Sequence, residues 1–373
     1  MLTVYLLLAF IVSVITSIVG LPWLLRLAKR RGLYDMPNKR KVHHNKIPRI
    51  GGMIFFPSVM MASLAVMLLE VIQKDGPQTV KVTTLIILSG VVMIYLIGVI
   101  DDILGLNARF KFMIQFIAAA MMPFCDLYID NMSGLFGVYG LPIYIAWPLT
   151  VFVTLLLVNS MNLIDGIDGL SSSLALIALI VFIPSFLGVR STACAILAIS
   201  LAASLIVFMY FNLYGNELKG TKTFMGDAGS LILGYTMAFL VIKYSTNTAA
   251  QAIWNIEPVV MSFTLVLIPI FDLVRVAFTR LFQRKSIFAA DKQHLHHLCL
   301  DAGMSMRGTL RFIISLQLLF CVINLIIFYL HINVNILVLT DILIFALVTY
   351  ILSHRRKPQP APIAPPDPIP PST

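Results

Sequence analysis

Apolar residues in this chain gather into long, nearly unbroken runs instead of alternating with polar ones as in a water-facing strand or helix. Each run covers roughly 17–25 residues, about the length a helix needs to cross a ~30 Å hydrocarbon layer. They predict eleven membrane-spanning helices, over 2–25, 50–72, 83–100, 108–125, 143–161, 170–188, 192–211, 228–244, 258–278, 310–330 and 334–353. The first run has no obvious small-residue cleavage site and is long enough to span, so it reads as a retained anchor. The tail "KPQPAPIAPPDPIPPST" is proline-rich, which forbids regular helix. The expected division is therefore a multi-span domain over 1–356 and a disordered cytoplasmic tail over 357–373.

Composition supports that reading. With 59% hydrophobic and 12% charged residues and a mean hydropathy of +0.93, the 373-residue chain is too apolar for an ordinary soluble domain. The expected fold class is all-α, a polytopic integral membrane helical bundle. Of its 27 lysines and arginines, all but Lys74, Lys81, Arg190 and Lys243 fall on one side of the alternating loops. Positive loops stay cytoplasmic, so the N-terminus is expected outside, the C-terminus inside. The net charge of +10 is then a topology signal that also suits anionic headgroups of the bilayer. No recognition motif accompanies it, which argues against nucleic acid. Cys125, Cys194, Cys299 and Cys321 form no CxxC pair and read as small core fillers.

The 17 acidic residues are few enough to be informative. Asp101, Asp102, Asp165, Asp168 and Asp227 all sit at the expected cytoplasmic mouths of spans, where one hydrated carboxylate is unremarkable but five from three loops suggest a site. In "VIDDILGL", adjacent Asp101 and Asp102 repel unless a divalent metal or a shared proton intervenes. In "NSMNLIDGIDGL", Asn159, Asn162, Asp165 and Asp168 recur every three residues and form a polar stripe along a helix or tight helical end. In "TFMGDAGSLILG", Asp227 stands among small residues at a helix start, where amide groups favour an anion.

The last inner loop holds "RKSIFAADKQHLHHLCL", with His294 and His297 three apart and His296 off to the side. Three readings stand for it: metal ligation, an ordinary solvated loop, or binding of a phosphorylated ligand. Carboxylates with a basic loop and histidines point to phosphoryl chemistry at a membrane surface, and magnesium suits oxygen donors that bridge to a diphosphate.

In order, "DDILGL", "NSMNLIDGIDGL", "FMGDAGS" and "DKQHLHH" resemble the motifs of the polyprenyl-phosphate N-acetylhexosamine-1-phosphate transferases, the glycosyltransferase 4 or MraY-like superfamily. The resemblance extends from "YDMPNKRKVHHNKIPRIGG" to the final span, and the histidine loop is closest to the WecA-like branch rather than to the triple-histidine loop of the phospho-MurNAc-pentapeptide transferases. It implies transfer of a sugar 1-phosphate from a UDP-N-acetylaminosugar, GlcNAc first, to undecaprenyl phosphate, with release of UMP. It also implies magnesium, with manganese as a substitute, a bacterial cytoplasmic (inner) membrane location and a family in which homodimers are common.

By matching motifs, the resemblance makes Asp227 the first magnesium ligand and sets Asp102 and Asn162 near the metal or phosphates. Asp101 is expected to deprotonate or position the lipid phosphate, and Asp165 and Asp168 to shape the nucleotide-sugar site, which Asn159 contacts or holds in place. His294, His296, His297 and Arg280 are expected at the diphosphate or sugar, and Lys46 at a phosphate. A cation-coupled transporter would instead place ionisable groups near mid-bilayer, where only Asp341 plainly lies. A scaffold acting through the tail would need no carboxylate array. The sugar itself, GlcNAc or GalNAc, FucNAc or QuiNAc, is not encoded in any motif; nor is the envelope polymer that the product would initiate.

Overall fold

The computed structural model describes residues 1–35, 47–74, 82–247, 257–286 and 293–355. The described helices are α1 (Leu2–Arg31), α2 (Phe55–Lys74), α3 (Val82–Leu104), α4 (Ala108–Ala120), α5 (Ile143–Ile164), α6 (Leu170–Gly188), α7 (Thr192–Tyr214), α8 (Gly226–Ser245), α9 (Pro258–Thr264), α10 (Leu267–Phe282), α11 (Leu295–Asp301), α12 (Met306–Tyr329) and α13 (Val334–His354). Two small antiparallel pairs accompany them, β1 (Tyr34–Asp35) with β2 (Ile47–Pro48) and β3 (Asn131–Leu135) with β4 (Val138–Gly140). Among the described residues, ten helical segments are each long and apolar enough to cross a membrane, and the pair α9 and α10 makes an eleventh if taken as one span. The fold is thus an all-α, multi-pass membrane bundle. The tail 357–373 lies outside the described residues.

At the centre stands α8, buried on nearly every side. Lipid is as apolar as leucine, so close backbone approach and interhelical hydrogen bonds replace the hydrophobic effect as the force between spans. Small residues allow that approach. A Cβ on Gly98 of α3 would lie 2.5 Å from Ala228 Cα, one on Gly52 would lie 2.3 Å from Gly229 Cα, and one on Gly234 would lie 2.7 Å from Val158 Cα of α5. Hydroxyls join other helices: Ser17 of α1 bonds Ser58 of α2 at 2.8 Å and donates to Ser204 of α7 at 2.9 Å.

One expectation needs correction. The apolar run 258–278 does not form a single continuous helix; α9 and α10 meet at an angle of 72°. Pro269, in the first turn of α10, has no N–H and its ring would clash with the carbonyl four residues earlier, which disfavours an unbroken helix through Leu265 and Val266. The amide of Gln317, from α12, bridges the break: Nε2 donates to the Thr264 carbonyl at 2.8 Å and Oε1 accepts from the Ile268 N–H at 3.3 Å. Exposed backbone groups at membrane depth need such protein partners. Nearby, Asn324 of α12 donates to Thr264 Oγ1 at 3.0 Å and to Asp341 of α13 at 2.9 Å, so Asp341, within its span, is tied into the same interface.

Candidate functional site

The site is built around the first turn of α8, whose leading N–H groups have no helical partner of their own. Gly226 takes a left-handed φ of 74°, turning the chain into the helix. The Asp102 carboxylate, from the last turn of α3, closes that end: Oδ1 accepts from the Asp227 N–H at 2.8 Å and Oδ2 from the Ala228 N–H at 2.9 Å. A carboxylate there satisfies two donors and meets the positive end of the helix dipole. Gly98, one turn earlier on α3, makes the approach sterically possible.

Asp227 then projects into a cluster of cations. Lys111 of α4 donates to its Oδ1 at 2.7 Å, Arg49 to its Oδ2 at 3.2 Å, and the Asn162 amide to Oδ1 at 2.8 Å. The same amide donates to Ser230 Oγ at 2.7 Å. Lys111 also donates to Asp101 Oδ2 at 2.8 Å, while the Leu106 N–H donates to Asp101 Oδ1 at 2.7 Å. Adjacent Asp101 and Asp102 are therefore separated in role: one faces an ammonium, the other a helix terminus. Lys111 and Arg49 were counted in the sequence only as topology charges, although a lysine within the apolar stretch "ARFKFMIQF" was a signal.

The three-residue stripe divides at the end of α5. Asn159 and Asn162 lie on the helix; Asp165 and Asp168 lie in the turn that follows, which ends at Gly169 with φ 75°. Asn159 donates to Gln115 Oε1 of α4 at 2.9 Å, which ties α4 to α5 beside the site. Asp168 accepts from Lys222 at 2.7 Å and from Asn212 at 3.2 Å, and Asn212 in turn accepts from the Gly169 N–H at 2.7 Å. Asp165 accepts from the Ser171 hydroxyl. Although part of its surface is accessible, enclosure by protein pushes its carboxyl up to about 7; Ser171 lowers it, and the charges of Asp168 and Asp227 raise it. At neutral pH Asp165 can hold or release a proton.

The histidine segment packs onto that turn. A Cβ on Gly166 would lie 2.0 Å from His296 Nε2, so only a glycine there admits the imidazole. Burial, followed by the charge of His297, drives His296 down to about 3, and it is neutral at physiological pH. The ring of His297 lies 4.2 Å from that of His296, and His294 stacks on His296 at 6.0 Å. His294 Nδ1 bonds Asp272 Oδ2 at 2.9 Å. Arg280 is buried, 4% exposed, on the face of α10 that also carries Asp272 and Val276. Lys46 lies outside the described residues.

The structure thus brings Asp101, Asp102, Asn162 and Asp227 into one connected network, sets Asp165, Asp168 and His296 together beside it, and turns Asn159 and His294 toward neighbouring protein groups. Ser171, Asn212, Lys222, Asp272 and Arg275 were not singled out from the sequence as site residues. Among the described residues, no group of three or more His, Cys, Asp or Glu forms a ready-made metal cage. Magnesium rarely needs one, since it is commonly held by one or two carboxylates, retained waters and substrate phosphates. The hard oxygens of Asp227, 17% exposed in its side chain, fit that donor set. Asp102 fits it less directly, because each oxygen already accepts a backbone N–H.

The profile of glycosyl transferase family 4 matches residues 84–245, which hold the aspartates from Asp101 to Asp227. A Bacillus subtilis (strain 168) protein named "Probable undecaprenyl-phosphate N-acetylglucosaminyl 1-phosphate transferase" is 30% identical over 357 residues, covering 94% of each chain. The undecaprenyl-phosphate alpha-N-acetylglucosaminyl 1-phosphate transferase of Escherichia coli (strain K12) is 30% identical over 286 residues, 76% of this chain and 73% of its own. The protein of the same name from Yersinia pestis is 27% identical over 284 residues, with the same coverage. A relative that alike from end to end, together with the family match across the aspartate motifs, establishes that this membrane protein belongs to glycosyl transferase family 4.

Proposed function

We propose that the protein transfers an N-acetylaminosugar 1-phosphate, GlcNAc-1-phosphate in the first instance, from its UDP-linked form to undecaprenyl phosphate. A phosphate oxygen of the lipid attacks the sugar-side phosphorus of the donor. A new P–O bond forms, the P–O bond to UMP breaks, and UMP leaves with the electron pair, giving undecaprenyl-diphosphate sugar. The observation that carries this reading is the alternation of charge at the start of α8, Asp101–Lys111–Asp227–Arg49, at one end of a membrane bundle.

Both substrates are anions, so the reaction needs fixed positive charge and an ordered approach. Lys111 and Arg49 are the cations nearest Asp227 and would engage phosphate oxygens. Asp101, paired with Lys111, holds that ammonium in place and borders the approach of the acceptor phosphate. That phosphate is largely ionised at neutral pH and scarcely requires a base. Asp165 and Asp168 line the turn against which the nucleotide sugar would lie. Neutral His296 offers it a hydrogen bond, not a charge. Asp227, with Asn162 beside it, would hold magnesium or manganese. When bound, the ion would offset charge on the diphosphate and the departing UMP.

The lysine and arginine asymmetry supports a site on the cytoplasmic face of a bacterial inner membrane, with the C-terminus on the same side. Purified protein incubated with UDP-GlcNAc, undecaprenyl phosphate and magnesium is expected to release UMP. UDP-GalNAc, UDP-FucNAc and UDP-QuiNAc, added as competitors, identify the sugar. If none of the four donors yields UMP, the transfer reaction is excluded.

A further inference from the structure

We propose that Asp272 is a positioning residue of this reaction: it clamps the histidine segment to α10 and holds His294 as the Nδ1–H tautomer, leaving Nε2 to serve the donor. The inference rests on the transferase reading above, but its structural part is independent of it.

Asp272 is 1% exposed, and its carboxylate is fully engaged. Oδ2 faces His294 Nδ1 at 2.9 Å, while Oδ1 accepts from the Leu295 N–H and from Arg275, each at 2.9 Å. The same nitrogen of Arg275 donates to the Gln293 carbonyl. Three consecutive residues, Gln293, His294 and Leu295, are thereby tied to one turn of α10. An ionised carboxylate only accepts hydrogen bonds, so the proton between the two must sit on Nδ1.

That choice determines what the other nitrogen can do. His294 Nε2 is buried and has no hydrogen-bond partner among the described residues. Leaving such an atom unsatisfied costs stability, which is reasonable where a ligand completes it. The ring lies parallel to that of His296, at an interplanar angle of 4°, and His296 Nε2 rests against Gly166. The clamp therefore holds His294 beside His296, and His296 in turn rests against the turn that carries Asp165 and Asp168.

The test uses the full-length protein and the variants Asp272→Ala, Asp272→Asn, His294→Ala and the double alanine. UMP release and the 15N signals of histidine-labelled protein are both read. Each alanine variant is expected to lower kcat/KM by about 10–100-fold, the usual effect of removing the group that orients a working histidine. The double variant should fall no further than the worse single one, because both changes disable one unit. Wild-type His294 should show Nδ1–H, and Asp272→Asn should lose that signature while remaining folded. Activity of Asp272→Ala within twofold of wild type, multiplied losses in the double variant, or an unchanged tautomer in Asp272→Asn each overturns the proposal. Should Asp272→Ala fail to fold, Asp272→Asn carries both readouts. Wild-type protein that releases no UMP refutes the transferase reading, and the tautomer measurement still judges the clamp.

Discussion

Single atoms decide whether the two halves of the site can meet. Gly166 leaves no space for a side chain against His296. Gly166→Ala should displace the histidine segment and lower kcat/KM by about 10²-fold, as misplacement by an ångström can, with little change in the unfolding midpoint. Steady-state UMP release beside thermal unfolding separates the two effects. His296 supplies a pH prediction. Its folded pKa, about 3, is below the unfolded value of about 6.5, so its contribution to stability is full above 6.5 and is lost as pH falls toward 3. His296→Gln should therefore lose less of its unfolding midpoint than wild type between pH 7.5 and 5.5. Equal losses in both proteins would mean that His296 is not held neutral.

Residues also set what could be read in advance. The aspartates were legible because a carboxylate is rare and costly beside apolar runs. Lys111 and Arg49 were hidden by a second explanation, since any basic residue on that side already serves topology. Asp272 gave little signal because the segment it holds, at His294 and Leu295, lies 22 and 23 positions away along the chain.

Among the elements, long apolar runs gave helix positions close to those observed, because crossing a bilayer fixes a helix length whatever the packing. Their ends were less legible. α1 continues past its apolar run through Lys29, Arg30 and Arg31, cations suited to a helix C-terminus, before Gly32 ends it at φ 68°. The break between α9 and α10 was not legible because Pro269 lies within a run long and apolar enough to read as one span, and the residue that makes the break tolerable, Gln317, belongs to a distant helix. Gln317→Leu removes both hydrogen bonds at the break and should destabilise the protein by about 1–3 kcal/mol, the cost of orphaning buried backbone groups. A lowered unfolding midpoint in detergent tests this, and an unchanged midpoint would mean the break satisfies itself.

Across the whole molecule, the charge asymmetry makes a claim that can be checked without turnover. Phe136, at the tip between β3 and β4, and Leu218, between α7 and α8, are 82% and 93% exposed and lie in loops expected on opposite sides. In intact cells, a membrane-impermeant maleimide should label Phe136→Cys above the background of the native cysteines and leave Leu218→Cys unlabelled until the membrane is opened. The reverse pattern would invert the bundle and put the aspartates on the outer face.

The central claim is that the Asp227 carboxylate, set at the start of α8 between Lys111, Arg49 and Asn162, is the core of a sugar-phosphate transfer site. Its most direct test is UMP release from UDP-GlcNAc and undecaprenyl phosphate by purified wild-type protein and by Asp227→Asn, with magnesium present and after chelation. Wild type should turn over only with the divalent cation, and Asp227→Asn should be slower by on the order of 10²-fold or more while remaining folded. Full UMP release by Asp227→Asn would contradict the account.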